Sequence, residues 1–114
     1  MKPIYTTESL ATGAGRNGHV RTTDGMVDLD LAIPVEMGGA GGATNPEQLF
    51  ASGYAACFHS ALQAVARGQK VELGDSSVGA RVSIGPNDPG GHDLPVALEV
   101  VIPALPHDQA QALA

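Results

Sequence analysis

The stretch Thr44–Gly68, TNPEQLFASGYAACFHSALQAVARG, decides the fold. Thr44 or Asn45 offers an N-cap oxygen. Pro46 suits the first helical position, where its missing N–H has no partner to lose, and Glu47 favours the positive end of the helix dipole. From there Phe50, Tyr54, Cys57, Phe58, Ala61, Leu62 and Val65 recur at steps of three and four residues, the spacing of one helical face. Ala51, Ala55 and Ala56 widen this stripe, so the helix is expected to be mostly buried. Gly68 stands where a left-handed cap would close it.

Upstream, Met37–Ala43 carries too many glycines for a regular element and reads as a loop, and Pro34 ends whatever precedes it. Asp24-Gly25 between His19–Thr23 and Met26–Ile33 is a strong hairpin signal. In the second arm Val27, Leu29, Leu31 and Ile33 alternate with Asp28, Asp30 and Ala32, which gives one apolar and one wetted sheet face. Ile4–Ala11 reads as a first strand. The glycines around Arg16 and Asn17 mark a loop free to reach inward. Downstream, Val78–Ile84 and Leu94–Ile102 alternate again as two strands, joined by a long turn over Pro86-Asn87-Asp88-Pro89-Gly90-Gly91. Pro106–Ala114 begins a helix that stops after about two turns, a length marginal in isolation. The order β-β-β-α-β-β-α makes an α+β domain, with the long helix packed on an antiparallel sheet.

With 114 residues, 43% of them hydrophobic and 16% charged, the chain fits one small folded domain. Two Phe, two Tyr and no Trp leave little for a base-stacking platform, and a net charge of -6 repels phosphate backbones and anionic membranes. Neither nucleic acid nor a membrane is an expected partner. The start at Met1 lacks a secretory apolar run and no stretch approaches a membrane span, so a cytoplasmic protein is expected.

Cys57 is the lone cysteine, so it is either core filler or a reagent. As a reagent it needs a nearby cation, since the thiolate is the nucleophile, whereas burial would raise its pKa. His59 points about 200° away on the same helix and reads as an exposed or core-edge residue. Arg16 stands out among the remaining cations for its glycine-flanked loop. Glu47 is either a first-turn acid that suits the dipole or a partner in chemistry. At ten residues from Cys57 it lies roughly 15 Å along the axis, so only a bridging arginine, another subunit or a helix break would connect them. The glycine loop before a helix start is no phosphate site, because Pro46 and Glu47 remove a donor and add negative charge. His19, His59, His92 and His107 lack metal-ligand spacing and read as scattered surface histidines, so neither a metal nor a cofactor is expected.

Gly38-Gly39-Ala40-Gly41-Gly42-Ala43-Thr44-Asn45-Pro46-Glu47-Gln48-Leu49-Phe50, followed by Gly53-Tyr54-Ala55-Ala56-Cys57-Phe58, resembles the organic hydroperoxide resistance proteins of the OsmC-like group. The resemblance extends to Tyr5-Thr6, Gly15-Arg16-Asn17-Gly18, Ser76–Gly85 and the strand to Ile102-Pro103. It implies an OsmC-like α+β fold with a long buried central helix, built into an intertwined homodimer with active sites at the subunit interface. It further implies a thiol peroxidase that reduces organic hydroperoxides, itself re-reduced by a dithiol such as a lipoylated protein. Cys57 matches the peroxidatic cysteine, Arg16 the arginine that stabilises the thiolate, and Glu47 the carboxylate that orients the arginine. Leu49, Phe50, Phe58 and Met26 are the expected walls of an apolar substrate pocket. Residues 1–114 are expected to form a single domain of this type without the C-terminal resolving cysteine and last strand of the family. The alternative is a truncated member that keeps only dimerisation or ligand binding and has lost turnover.

Overall fold

The structure, a computed structural model, describes residues 1–87 and 90–113. Asp88 and Pro89 of the expected turn and Ala114 of the expected last helix lie outside the described residues. The chain divides into two compact units, Met1–Pro46 and Glu47–Ala114.

The first unit is an antiparallel sheet of β1 (Ser9–Thr12), β2 (His19–Thr22) and β3 (Asp28–Asp30), in that order. The first strand is shorter than the expected Ile4–Ala11: Ile4 and Tyr5 are exposed and outside the ladder, which ends at the Ser9–Thr22 pair. Beyond Thr22 the chain turns, and a strand extends only as far as its neighbour. The hairpin forms at the expected place with a longer turn. Thr22 N–H donates to Val27 O and Gly25 N–H to Thr22 O, while Asp24 Oδ1 accepts from Met26 N–H at 3.0 Å and from Thr22 Oγ at 2.8 Å. The two-residue type I′ turn that Asp-Gly favours needs positive φ at both central positions. Here only Gly25 has it (74°), so the loop spans Thr23–Met26. The alternation holds: Val20 opposes Leu29 on one face, and His19 opposes Asp30 on the other.

The glycine stretch is more ordered than composition suggests. Val35–Met37 is a 3-10 turn closed by Gly38 at φ 86°. Gly39 N–H then donates to Pro34 O and Gly41 N–H to Ile33 O. A Cβ on Gly39 would stand 2.0 Å from Ile33 O, so glycine is required at that close approach. Leu31 bridges Thr44 in parallel, which returns the chain to the helix start.

In the second unit α1 (Pro46–Gly68) runs over the expected residues. Its left-handed cap is Lys70 (φ 56°), two positions past the expected Gly68. Val71 N–H donates to Ala66 O and Lys70 N–H to Arg67 O, the paired bonds of a Schellman motif. β4 (Ser77–Val82) pairs with β7 (Val96–Val101), and a minimal ladder of β5 (Gly85–Pro86) and β6 (His92–Asp93) forms between them in sequence. Among the described residues the expected sheet is thus resolved into three separate antiparallel sheets. α2 (His107–Leu113) buries Leu113, which supplies by packing what seven residues lack in intrinsic helix stability. Leu62, Ala66, Leu73, Ile102 and Leu113 form the core, with Val78 and Val100, an opposed pair of the β4–β7 ladder, packed against it.

Against the expectation of a mostly buried helix, α1 is buried on one side only, at Leu62 and Ala66. Phe50, Tyr54 and Val65 remain exposed. At about 100° per residue, the apolar stripe is wide enough to present two faces, and β4–β7 with α2 supplies apolar partners for one.

Candidate functional site

Cys57 lies mid-way along α1 and is exposed, which corrects the core-filler reading. Steps of four, three, four and four residues join Phe50, Tyr54, Cys57, Ala61 and Val65, so these side chains share the uncovered face. The rings of Phe50 and Tyr54 stack with centroids 5.7 Å apart and planes at 27°. Tyr54, three residues before Cys57, is therefore an aromatic neighbour on the thiol's own face. It was absent from the expected pocket walls, although its i, i+3 relation to Cys57 was available to find it. Of those walls, Leu49 and Phe58 are half-buried and Phe50 is exposed. Met26, in the hairpin loop of the first unit, is 87% exposed. Two clefts of the second unit, one over Gly79, Arg81, Ala97 and Glu99 and one between Val100 and His107, are lined by none of the four.

Glu47 occupies the first turn of α1 and is half-buried. The helix is continuous through Gly53, so Glu47 and Cys57 are separated by about 15 Å of helical rise and do not touch. His59 points away from Cys57, as expected: its Nε2 lies 2.8 Å from Ser76 Oγ, and Gln63 Nε2 is 3.4 Å away.

Arg16 belongs to the first unit, at the centre of a 3-10 turn over Gly15–Asn17. The expected loose loop is instead a defined turn, with Asn17 N–H donating to Ala14 O and Gly18 N–H to Gly15 O. Gly13 and Gly15, at φ 78° and 64°, permit this path. Arg16 itself is half-buried.

His19 is not a scattered surface histidine. Its Nδ1 lies 2.7 Å from Asp30 Oδ1 and its Nε2 2.5 Å from Asp28 Oδ1, with Arg21 Nε 3.7 Å from Asp28 Oδ2. The hydrogen bonds to Asp30 and then Asp28 raise the His19 pKa above its usual 6.5. Two consecutive same-face positions of β3 bracket one position of β2, a cross-strand relation visible only once register is known. Among the described residues, no group of three or more His, Cys, Asp or Glu could hold a metal ion, and no helix is long and apolar enough to cross a membrane.

The geometry is that of an α+β fold of antiparallel sheets with one exposed thiol on an aromatic-bearing helix. The family model described as OsmC-like protein matches residues 39–114, more than half of the chain. The organic hydroperoxide resistance protein of Xanthomonas axonopodis pv. citri is 46% identical over 114 residues, covering 98% of this chain and 79% of that one. Among solved structures, an organic hydroperoxide resistance protein from Legionella pneumophila superposes with a TM-score of 0.92 at 55% identity, covering 98% of this chain and 81% of its own. The organic hydroperoxide resistance protein OhrB of Bacillus subtilis gives 0.86 at 40% identity, covering 97% and 82%. The chain belongs to the OsmC-like protein family.

Proposed function

We propose that this protein defends against organic hydroperoxides as a thiol peroxidase, with Cys57 as the attacking group. The observation that carries the reading is the exposure of the lone thiol on the helix face it shares with Phe50 and Tyr54. An exposed thiol can meet a substrate, and a neighbouring aromatic surface favours an alkyl chain over hydrogen peroxide. The Cys57 thiolate attacks the distal peroxide oxygen. The S–O bond forms as the O–O bond breaks, the alkoxide takes a proton and leaves as alcohol, and Cys57 is left as a sulfenic acid. A dithiol, lipoylated proteins among them, then returns the sulfenic acid to thiol, releasing water and becoming a disulfide. In this reading Arg16 favours the thiolate and stabilises the developing alkoxide, and Glu47 orients Arg16. Leu49, Phe50, Phe58 and Met26, together with Tyr54, contact the substrate. Residues 1–114 act as one domain in a homodimer, a state supported by the uncovered apolar face of α1.

The test is oxidation by cumene hydroperoxide, with a dithiol reductant and with mass spectrometry of the trapped sulfenic acid. The wild-type chain should consume peroxide repeatedly and carry the trap on Cys57, and Cys57→Ser should do neither. Residual peroxidase activity in that variant would refute the assignment. A wild-type chain that never oxidises would favour a binding module of the same fold.

A further inference from the structure

Asn17 joins two segments of the first unit that lie far apart in sequence. Its Oδ1 accepts a hydrogen bond from Ile33 N–H at 2.9 Å. One residue on, Gly18 O accepts from Leu31 N–H at 2.8 Å. The Gly15–Asn17 turn is thereby fastened to the segment following β3 at two places, one backbone and one side chain. β3 ends at Asp30, so the Asn17 amide supplies at Ile33 the acceptor that a continuing strand would otherwise provide. The turn needs such an anchor because Gly13 and Gly15 both sit at positive φ, and glycine backbone without a restraint samples many alternatives.

We propose that Asn17 is a positioning residue, whose hydrogen bond to Ile33 N–H holds the Gly15–Asn17 turn in the geometry that presents Arg16 for hydroperoxide reduction. The inference rests on the role proposed above for Arg16. Removing one hydrogen bond of this kind shifts a conformational equilibrium about fivefold, and the reaction rate follows the competent fraction.

The experiment uses the full chain as wild type, Asn17→Ala, Asn17→Asp, Arg16→Ala and the double variant Arg16→Ala/Asn17→Ala. It reads single-turnover oxidation of Cys57 by cumene hydroperoxide and amide hydrogen exchange at Ile33. Asn17 is exposed, so its substitution leaves the core intact. Asn17→Ala should speed exchange at Ile33 and slow Cys57 oxidation about fivefold. Asn17→Asp keeps the acceptor and should return both readouts to within about twofold of wild type. In the Arg16→Ala background the second substitution should slow oxidation no further. A further fivefold loss there overturns the proposal, because the effect would not pass through Arg16. A wild-type rate or unchanged Ile33 exchange in Asn17→Ala also overturns it while leaving the Arg16 assignment standing. An Arg16→Ala chain that reacts as fast as wild type overturns both.

Discussion

Lys70 holds the C-terminal cap of α1 in a conformation that suits glycine, and Lys70→Gly should be more stable than Lys70→Ala. The residue sits at φ 56°, the one non-glycine position at positive φ among the described residues. The left-handed conformation costs a residue with a Cβ about 1–2 kcal/mol. Glycine avoids that cost but gains freedom in the unfolded chain worth about 0.5–1 kcal/mol. The cap bonds from Val71 N–H to Ala66 O (2.8 Å) and from Lys70 N–H to Arg67 O (3.1 Å) are main-chain and survive the change. The contact of Val71 with the core survives as well. Relative to Lys70→Ala, which keeps the Cβ and loses the same charge, the net gain is about 0.5–1 kcal/mol, roughly 3 °C in unfolding temperature for a domain of this size. The assay is urea and thermal unfolding followed by circular dichroism, with Lys70→Ala as control. Both variants lose the favourable lysine charge at the helix C-terminus, and only glycine loses the Cβ. Lys70→Gly no more stable than Lys70→Ala would show that the cap carries no strain, and the reasoning would fail.

Leu62→Ala should destabilise by about 3 kcal/mol in the same unfolding assay, because a side chain 3% exposed at the centre of the second unit's core leaves a cavity. A loss below about 1 kcal/mol would mean that the core collapses to fill it. Arg16→Ala should slow hydroperoxide reduction at least about tenfold and raise the pH at which Cys57 is alkylated, with Glu47→Gln doing the same more mildly. Unchanged rate and pH profile in Arg16→Ala would remove the arginine from the mechanism. His19 has a folded pKa raised above 6.5 by Asp30 and Asp28, so its contribution is fully present below about 6.5 and is lost as pH rises through the folded value. The stability gap between wild type and His19→Gln should therefore be larger at about pH 5.5 than at about pH 8.5, and a gap that grows with pH would contradict the pairing.

The local chemistry of the chain fixed the elements whose causes are local. Pro46 and Glu47 set the start of α1 at the observed residue. The alternation of Val78–Ile84 and Leu94–Ile102 pointed to two strands, which form over the shorter Ser77–Val82 and Val96–Val101 and pair with each other, and Asp24-Gly25 placed the hairpin. The OsmC-like motif around Cys57 likewise needs only residue identity and order, and it was enough to reach the family.

Other features follow from what each segment meets in space. The helix periodicity said that Phe50, Tyr54 and Cys57 share a face, but it could not say that this face stays exposed while Leu62 and Ala66 take the core. A moment has a direction along its own helix and no knowledge of its neighbours. The glycines near Arg16 suggested freedom; the tertiary hydrogen bond from Ile33 N–H to Asn17, sixteen residues away, makes the turn definite. The bracketing of His19 by Asp28 and Asp30 depends on strand register, since a slip of one residue would send the aspartates to the opposite face. The cap at Lys70 was hidden because glycine is preferred there but not compulsory: two backbone hydrogen bonds and the packing of Val71 hold a lysine where propensity would place Gly68.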